Sequence, residues 1–211
     1  MNPFIEQVFS ILNTNPGNLA YHLVLAFSAA GALQISLLSW RNAGSSHGGR
    51  LVLGTGLLLL VRLLLFVAAA FAWIGILSIS AFPPIDRSAT LFGLVLIVWL
   101  WSAPARSRLA DTAVVLMALL VLTFSALTIA WWSAQDADLA YNSTWPDFLA
   151  QVFALLIILY GVVVLSIKRS EGWSTGLACL ILLAIGHIAH LLFPIPGSSL
   201  PGAVRLAQMA A

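Results

Sequence analysis

An all-α fold, a polytopic bundle of membrane-spanning helices, is what the sequence predicts, and three observations predict it. Apolar residues make up 61% of the 211-residue chain and charged residues only 8%, where soluble domains carry about a quarter. The mean hydropathy is +1.03. The apolar stretches approach the ~20 residues that cross a hydrocarbon core, and Pro, Gly and charges interrupt them.

The first segment, residues 1–17 (MNPFIEQVFSILNTNPG), lacks a basic leader, carries Glu6 and breaks at Pro16-Gly17. It does not read as a cleaved signal peptide. Phe4, Ile5, Val8, Phe9 and Leu12 on one side make it an amphipathic helix expected at the membrane surface. The remainder, residues 18–211, reads as one transmembrane bundle with spans near 18–40, 51–79, 88–103, 110–132, 147–167 and 172–193. A partial seventh covers 203–211, AVRLAQMAA. As a helix it would rise only about 13 Å, less than half of the roughly 30 Å core. The expectation is therefore six complete spans plus the start of a seventh, at the front of a longer polypeptide, with a short re-entrant or surface helix as the alternative for 203–211. Pro83-Pro84, followed by Asp86 and Ser88, reads as a rigid turn and cap opening the third span.

Orientation follows from where basic residues collect, because short cytoplasmic loops hold the excess of Lys and Arg. Arg41 and Arg50, Arg106 and Arg108, and Lys168 and Arg169 fall in three loops on one side. The opposite loops hold Asp86, Asp136, Asp138 and Asp147 with only Arg87, and Arg205 just beyond. The N-terminus is thereby expected outside. Tryptophans such as Trp40, Trp101, Trp131 and Trp173 lie near span ends as an aromatic belt. Asn142-Ser143-Thr144 matches a glycosylation sequon, a chance match if the protein is bacterial.

Composition also narrows function. A net charge of +2 without a basic stripe excludes nucleic acid as the expected partner and leaves the lipid bilayer. Cys179 is the single cysteine and reads as a small core residue. Neither a nucleophile beside a base, a zinc-protease helix nor a phosphate loop is present, so the reading assigns this chain no catalytic residue, metal or resident cofactor.

The polar residues within the spans carry what functional signal there is. Arg62 interrupts LLLLVRLLLF about 16 Å into its helix. A charge at that depth costs about 2.5–3.5 kcal/mol on the insertion scale, so it is expected to face the bundle interior, against Ser28, Gln34, Thr55, Ser125, Tyr160 or backbone carbonyls. It is either a ligand contact or a structural tie. His187 and His190 project from neighbouring directions near the end of the sixth span, with His22 at a similar depth in the first. Imidazoles suit Zn, Cu or Fe, and equally a pH sensor or a structural role. Asp147 and Gln151, with Arg205 and Gln208, add polar groups on the same side, which makes an outer-leaflet pocket conceivable. The candidate ligand-binding residues are thus Arg62, His22, His187, His190, Asp147 and Arg205. Asp111 is explained by the helix dipole, and Ser28, Ala29, Ala30, Gly31, Ala32 and Gly54-Thr55-Gly56 by close helix packing.

In the order of its features, the chain resembles the N-terminal seven-helix membrane sensor region of bacterial multidomain histidine kinases. The residues carrying the likeness are FPPIDRSATLFGLVLIVWLW (82–101), GHIAHLLFP (186–194) and LPGAVRLAQMAA (200–211). The resemblance implies a sensory input module in the bacterial cytoplasmic membrane, homodimeric, recognising a small or lipophilic ligand and passing helix displacement inward. Two other functions fit the same residues: a membrane subunit of a redox or photosynthetic complex, with haem or pigment on the histidines, and a small transporter with Arg62 as anion contact.

Overall fold

In the computed structural model, residues 3–43, 46–77, 81–102, 107–135, 139–169, 172–195 and 197–211 are described. Among them the regular structure is helical throughout: α1 (Pro3–Asn13), α2 (Gly17–Ala43), α3 (Ser46–Trp73), α4 (Phe82–Ser102), α5 (Arg108–Trp132), α6 (Trp145–Lys168), α7 (Trp173–Leu192) and α8 (Gly202–Ala210), with one 3-10 turn at Tyr141–Ser143. Six of these, α2 to α7, are long and apolar enough to cross a membrane. Phe27, Leu116, Leu127 and Ile167 are among the many large apolar side chains that point away from the protein. Such a surface is matched by hydrocarbon and not by water. The chain is a multi-pass membrane protein.

α2 packs on α3, α6 on α7, and α4, the most buried span, on α3, α5 and α6. Leu91, Leu94, Val95 and Val98 of α4 meet Ala154 and Ile158 of α6 and Leu180 and Leu183 of α7 in the main apolar core, with Cys179 packed at its edge. Arg41, Arg50, Arg108, Lys168 and Arg169 gather at one end of the bundle, where Lys168 Nζ donates to Ser102 O at 3.1 Å. Arg106, Asp136 and Asp138 lie outside the described residues.

Several expectations change. α4 begins at Phe82, six residues before the expected 88. Pro83 and Pro84 sit in its first turn, where a missing N–H costs nothing, and Asp86 and Arg87 are buried helical residues instead of turn and cap. α3 stops at Trp73, short of 79. Asp111 does more than complement a helix dipole: Oδ1 pairs with Arg50 Nη2 at 2.7 Å and accepts from Trp99 Nε1 at 3.1 Å. The small-residue stretch at 28–32 makes no close helix contact at Gly31, whereas Gly54 faces Leu100 tightly. In α1, Phe9 and Leu12 are buried, Phe9 against Gly202 of α8 and Leu12 beside Tyr21 and Leu25 of α2. The side chains of Phe4, Ile5 and Glu6 lie outside the described residues.

The short helix α8 packs against the last turns of α7. A Cβ on Gly186 would press on Ala207 and come within 3.1 Å of Ala203 O and 3.3 Å of Val204 Cα. Gly186→Val should therefore push α8 off α7 and destabilise the protein by about 1–3 kcal/mol, the usual range for overpacking. Hydrogen exchange should show the loss of protection concentrated in residues 202–210; uniform exchange with wild-type protection there would refute this account of Gly186.

Candidate functional site: a buried ionic network at one end of the bundle

At the end opposite the basic residues, polar side chains from α2, α3, α4, α6, α7 and α8 meet inside the protein. Arg87 is the centre. Its Nε donates to Asp147 Oδ1 at 2.5 Å, its Nη2 to Asn142 Oδ1 at 2.6 Å and to Ser199 O at 3.3 Å, and its Nη1 to Asp86 Oδ2 at 3.4 Å. The guanidinium also lies over the ring of Tyr141, 5.6 Å from its centre.

From Asp147 the network runs into α7. His190 Nε2 is 2.8 Å from Asp147 Oδ2, and Gln151 Nε2 donates to Asp147 Oδ1 at 3.2 Å. An ionised carboxylate only accepts, so the Gln151 amide must turn its nitrogen to Asp147 and its oxygen to His187, whose Nδ1 lies 2.5 Å away. His187 therefore carries a proton on Nδ1, and Nε2 has no partner among the described residues.

From Asp86 the network runs the other way. Its Oδ2 is 3.4 Å from Arg205 Nη2, and Arg205 Nη1 donates to Leu12 O at 2.7 Å and Asn18 Oδ1 at 2.8 Å. The Arg205 guanidinium stacks 4.7 Å over Tyr21, whose hydroxyl donates to Gln208 Oε1. The same Gln208 oxygen accepts from Arg62 Nη2 at 3.4 Å, and Gln208 Nε2 donates to Thr90 Oγ1 at 3.3 Å. His22 is held edge-on between Tyr21 and Phe82, at 4.7 and 5.4 Å.

A roof of hydrogen bonds covers this end. Asn13 Nδ2 donates to Ser198 Oγ and Leu200 O, Asn142 Nδ2 to Leu200 O, and the Tyr141 amide to Ser199 Oγ. Both ends of the Asn142 amide are thus engaged inside the protein. Tyr141 packs edge-on against Trp132. Burial pushes its phenol up from 10.0 to about 12, with the Arg87 charge opposing. A raised value favours the proton in the fold, so the associated stability is full below pH 10 and is lost as pH rises through about 12.

Of the six residues singled out from sequence, five are bonded into this network and His22 lies against it. Asp147 and His190 touch, His187 joins through Gln151, Arg205 through Asp86 and Arg62 through Gln208, while His22 only packs beside the network, its ring against Tyr21 and Phe82. Arg62 is buried, but its partner is Gln208 on α8; of its expected neighbours, Tyr160 is exposed and Ser125 bonds its own helix at Val121 O. The three histidines do not form one cluster. His22 belongs to the Asp86 half and His187 and His190 to the Asp147 half, and among the described residues no group of three His, Cys, Asp or Glu is placed to hold a metal. Sequence reasoning missed Asp86, Arg87, Asn142, Tyr21 and Asn18 as members. Two adjacent opposite charges after Pro-Pro, at the head of an apolar run, were the available signal.

Compared with protein-family models, curated proteins and solved structures, the chain matches none.

Proposed function

We propose that this chain is the membrane-embedded sensory input module of a signal-transduction protein, histidine-kinase-like, in the bacterial cytoplasmic membrane with the polar end outside. The basic residues at the opposite end support that orientation. The observation that carries the reading is how α8 is held. Arg205 and Gln208 tie it to α1, α2, α3 and α4 through buried polar contacts, and Asp86 and Arg87 link those contacts to Asp147 and His190 on α6 and α7. A change of charge or ligand in the network shifts the balance between two packings of α8, and the helix passes that shift inward. The resemblance further implies that a phosphoacceptor helix follows in the native gene product, which the residues encoded beyond Ala211 would establish.

Spin labels at Met209 and Ala113, both exposed, in a Cys179→Ala background would test the relay. Asp147→Asn removes one network charge without changing shape. Its pulsed-resonance distance distribution in nanodiscs should shift by roughly 1–5 Å, the range of known helix displacements. Superimposable distributions for Asp147→Asn and the parent would overturn the proposal.

A further inference from the structure

Among the described residues, the network holds three guanidiniums, Arg62, Arg87 and Arg205, against two carboxylates, Asp86 and Asp147. Three against two leaves one positive charge over. Their relative exposures are 8%, 2% and 0% for the arginines and 1% and 2% for the aspartates, so water does little to screen the excess. Arginine does not shed its proton in proteins. An uncompensated buried charge costs several kcal/mol, and a neutral histidine supplies no negative charge.

The excess is not spread evenly. Arg87 is close to Asp147 at 2.5 Å and to Asn142 at 2.6 Å. Arg62 and Arg205 are left with Asp86, which reaches Arg205 only at 3.4 Å. Two open atoms, His187 Nε2 and the Tyr141 hydroxyl, lie in the Asp147 half, but most lie in the Asp86 half: Arg62 Nη1, Arg205 Nε and Nη2, both ring nitrogens of His22 and Asp86 Oδ1 have no hydrogen-bond partner among the described residues. Arg205 stacks 4.7 Å over Tyr21 and lies 3.4 Å from Asp86, His22 packs 4.7 Å from Tyr21, and Arg62 and the Tyr21 hydroxyl share Gln208 Oε1, so these groups surround one region between α2, α3, α4 and α8. Donors outnumber acceptors there, since each guanidinium nitrogen only donates.

We propose that this region is a binding site for one small monovalent anion, of the size and charge of chloride, held by Arg62 and Arg205 with His22 donating one ring N–H. One negative charge neutralises the excess. Asp86 Oδ1, the open acceptor, opposes any anion and a multiply charged one most, which favours a single charge. The site would stand whether or not α8 relays a signal, because its readout is the stability of the protein itself.

The test is a thermal-unfolding titration of the purified full chain in nanodiscs, chloride replacing gluconate at constant ionic strength, followed by tryptophan fluorescence. Chloride a hundredfold above its dissociation constant should raise the midpoint on the order of 5–10 °C, saturably. Arg62→Met, which removes the excess charge, should abolish the response, and Arg108→Gln, at the other end, should keep it. Bromide should replace chloride and give an anomalous scattering peak between Arg62 and Arg205, a readout that survives if Arg62→Met fails to fold. A wild-type midpoint equal in chloride and gluconate, the network's open atoms then being met by water alone, would overturn the proposal. So would an Arg62→Met response equal to wild type, or bromide absent from the site.

Discussion

Asp147→Ala should be the most damaging single substitution in the protein, with a loss of about 3–5 kcal/mol, the cost of breaking a buried ion pair by removing one partner. The reason is local. Asp147 takes Arg87 Nε on one oxygen and His190 on the other, and it also anchors Gln151. Removing the carboxylate leaves a buried guanidinium with Asn142, Ser199 O and a 3.4 Å contact to Asp86. Arg87→Met in the same background should recover part of the loss, because it removes the stranded charge. Unfolding in a denaturing detergent titration reads both effects. If Asp147→Ala unfolds with wild-type stability, or if the double variant is no better than the sum of the single ones, the network is not an energetic unit.

Arg205→Met is expected to have the second-largest effect and a different signature. It breaks the bonds to Leu12 O and Asn18 and strands Asp86 with a single 3.4 Å partner, Arg87. A loss of about 3 kcal/mol is expected, confined to the helices the arginine ties together. Limited proteolysis should cut within residues 3–13 and 202–210 while the six spans persist. Wild-type protease resistance of Arg205→Met would count against the assigned role of this side chain.

The bundle was legible because hydrocarbon imposes one rule on every span: continuous apolar helix of fixed minimum length. That rule set the six spans and placed α6 and α7 within two residues of their observed limits. It misled at α4, where charges were read as the edge of the membrane. Asp86 and Arg87 neutralise each other and their neighbours inside the protein, so two charges side by side did not mark a loop. The candidate site was partly legible for a related reason. Arg62, His187 and His190 stand out against an apolar background, but their partners depend on which faces of distant helices meet, and one sequence does not contain that information. Arg62 illustrates the limit: burial followed from cost, while Gln208, 146 positions away, could not. Asp111 shows the opposite error, a carboxylate explained locally that bonds Arg50 and Trp99.

The bond from Arg205 to Leu12 O joins residues 193 positions apart. During biosynthesis the first helix emerges long before its partner exists, and Arg62, Asp86 and Arg87 enter the bilayer while Arg205 and Gln208 are still unmade. Asp86 and Arg87 enter together on α4, but Arg62 must be carried by its helix unaccompanied, helped only by the leucines and valines around it. The greasy flanks of Arg62 are thus what lets a half-made chain survive until α8 locks the assembly, and ribosome-stalled intermediates lacking Arg205 should be the ones the cell's quality control removes.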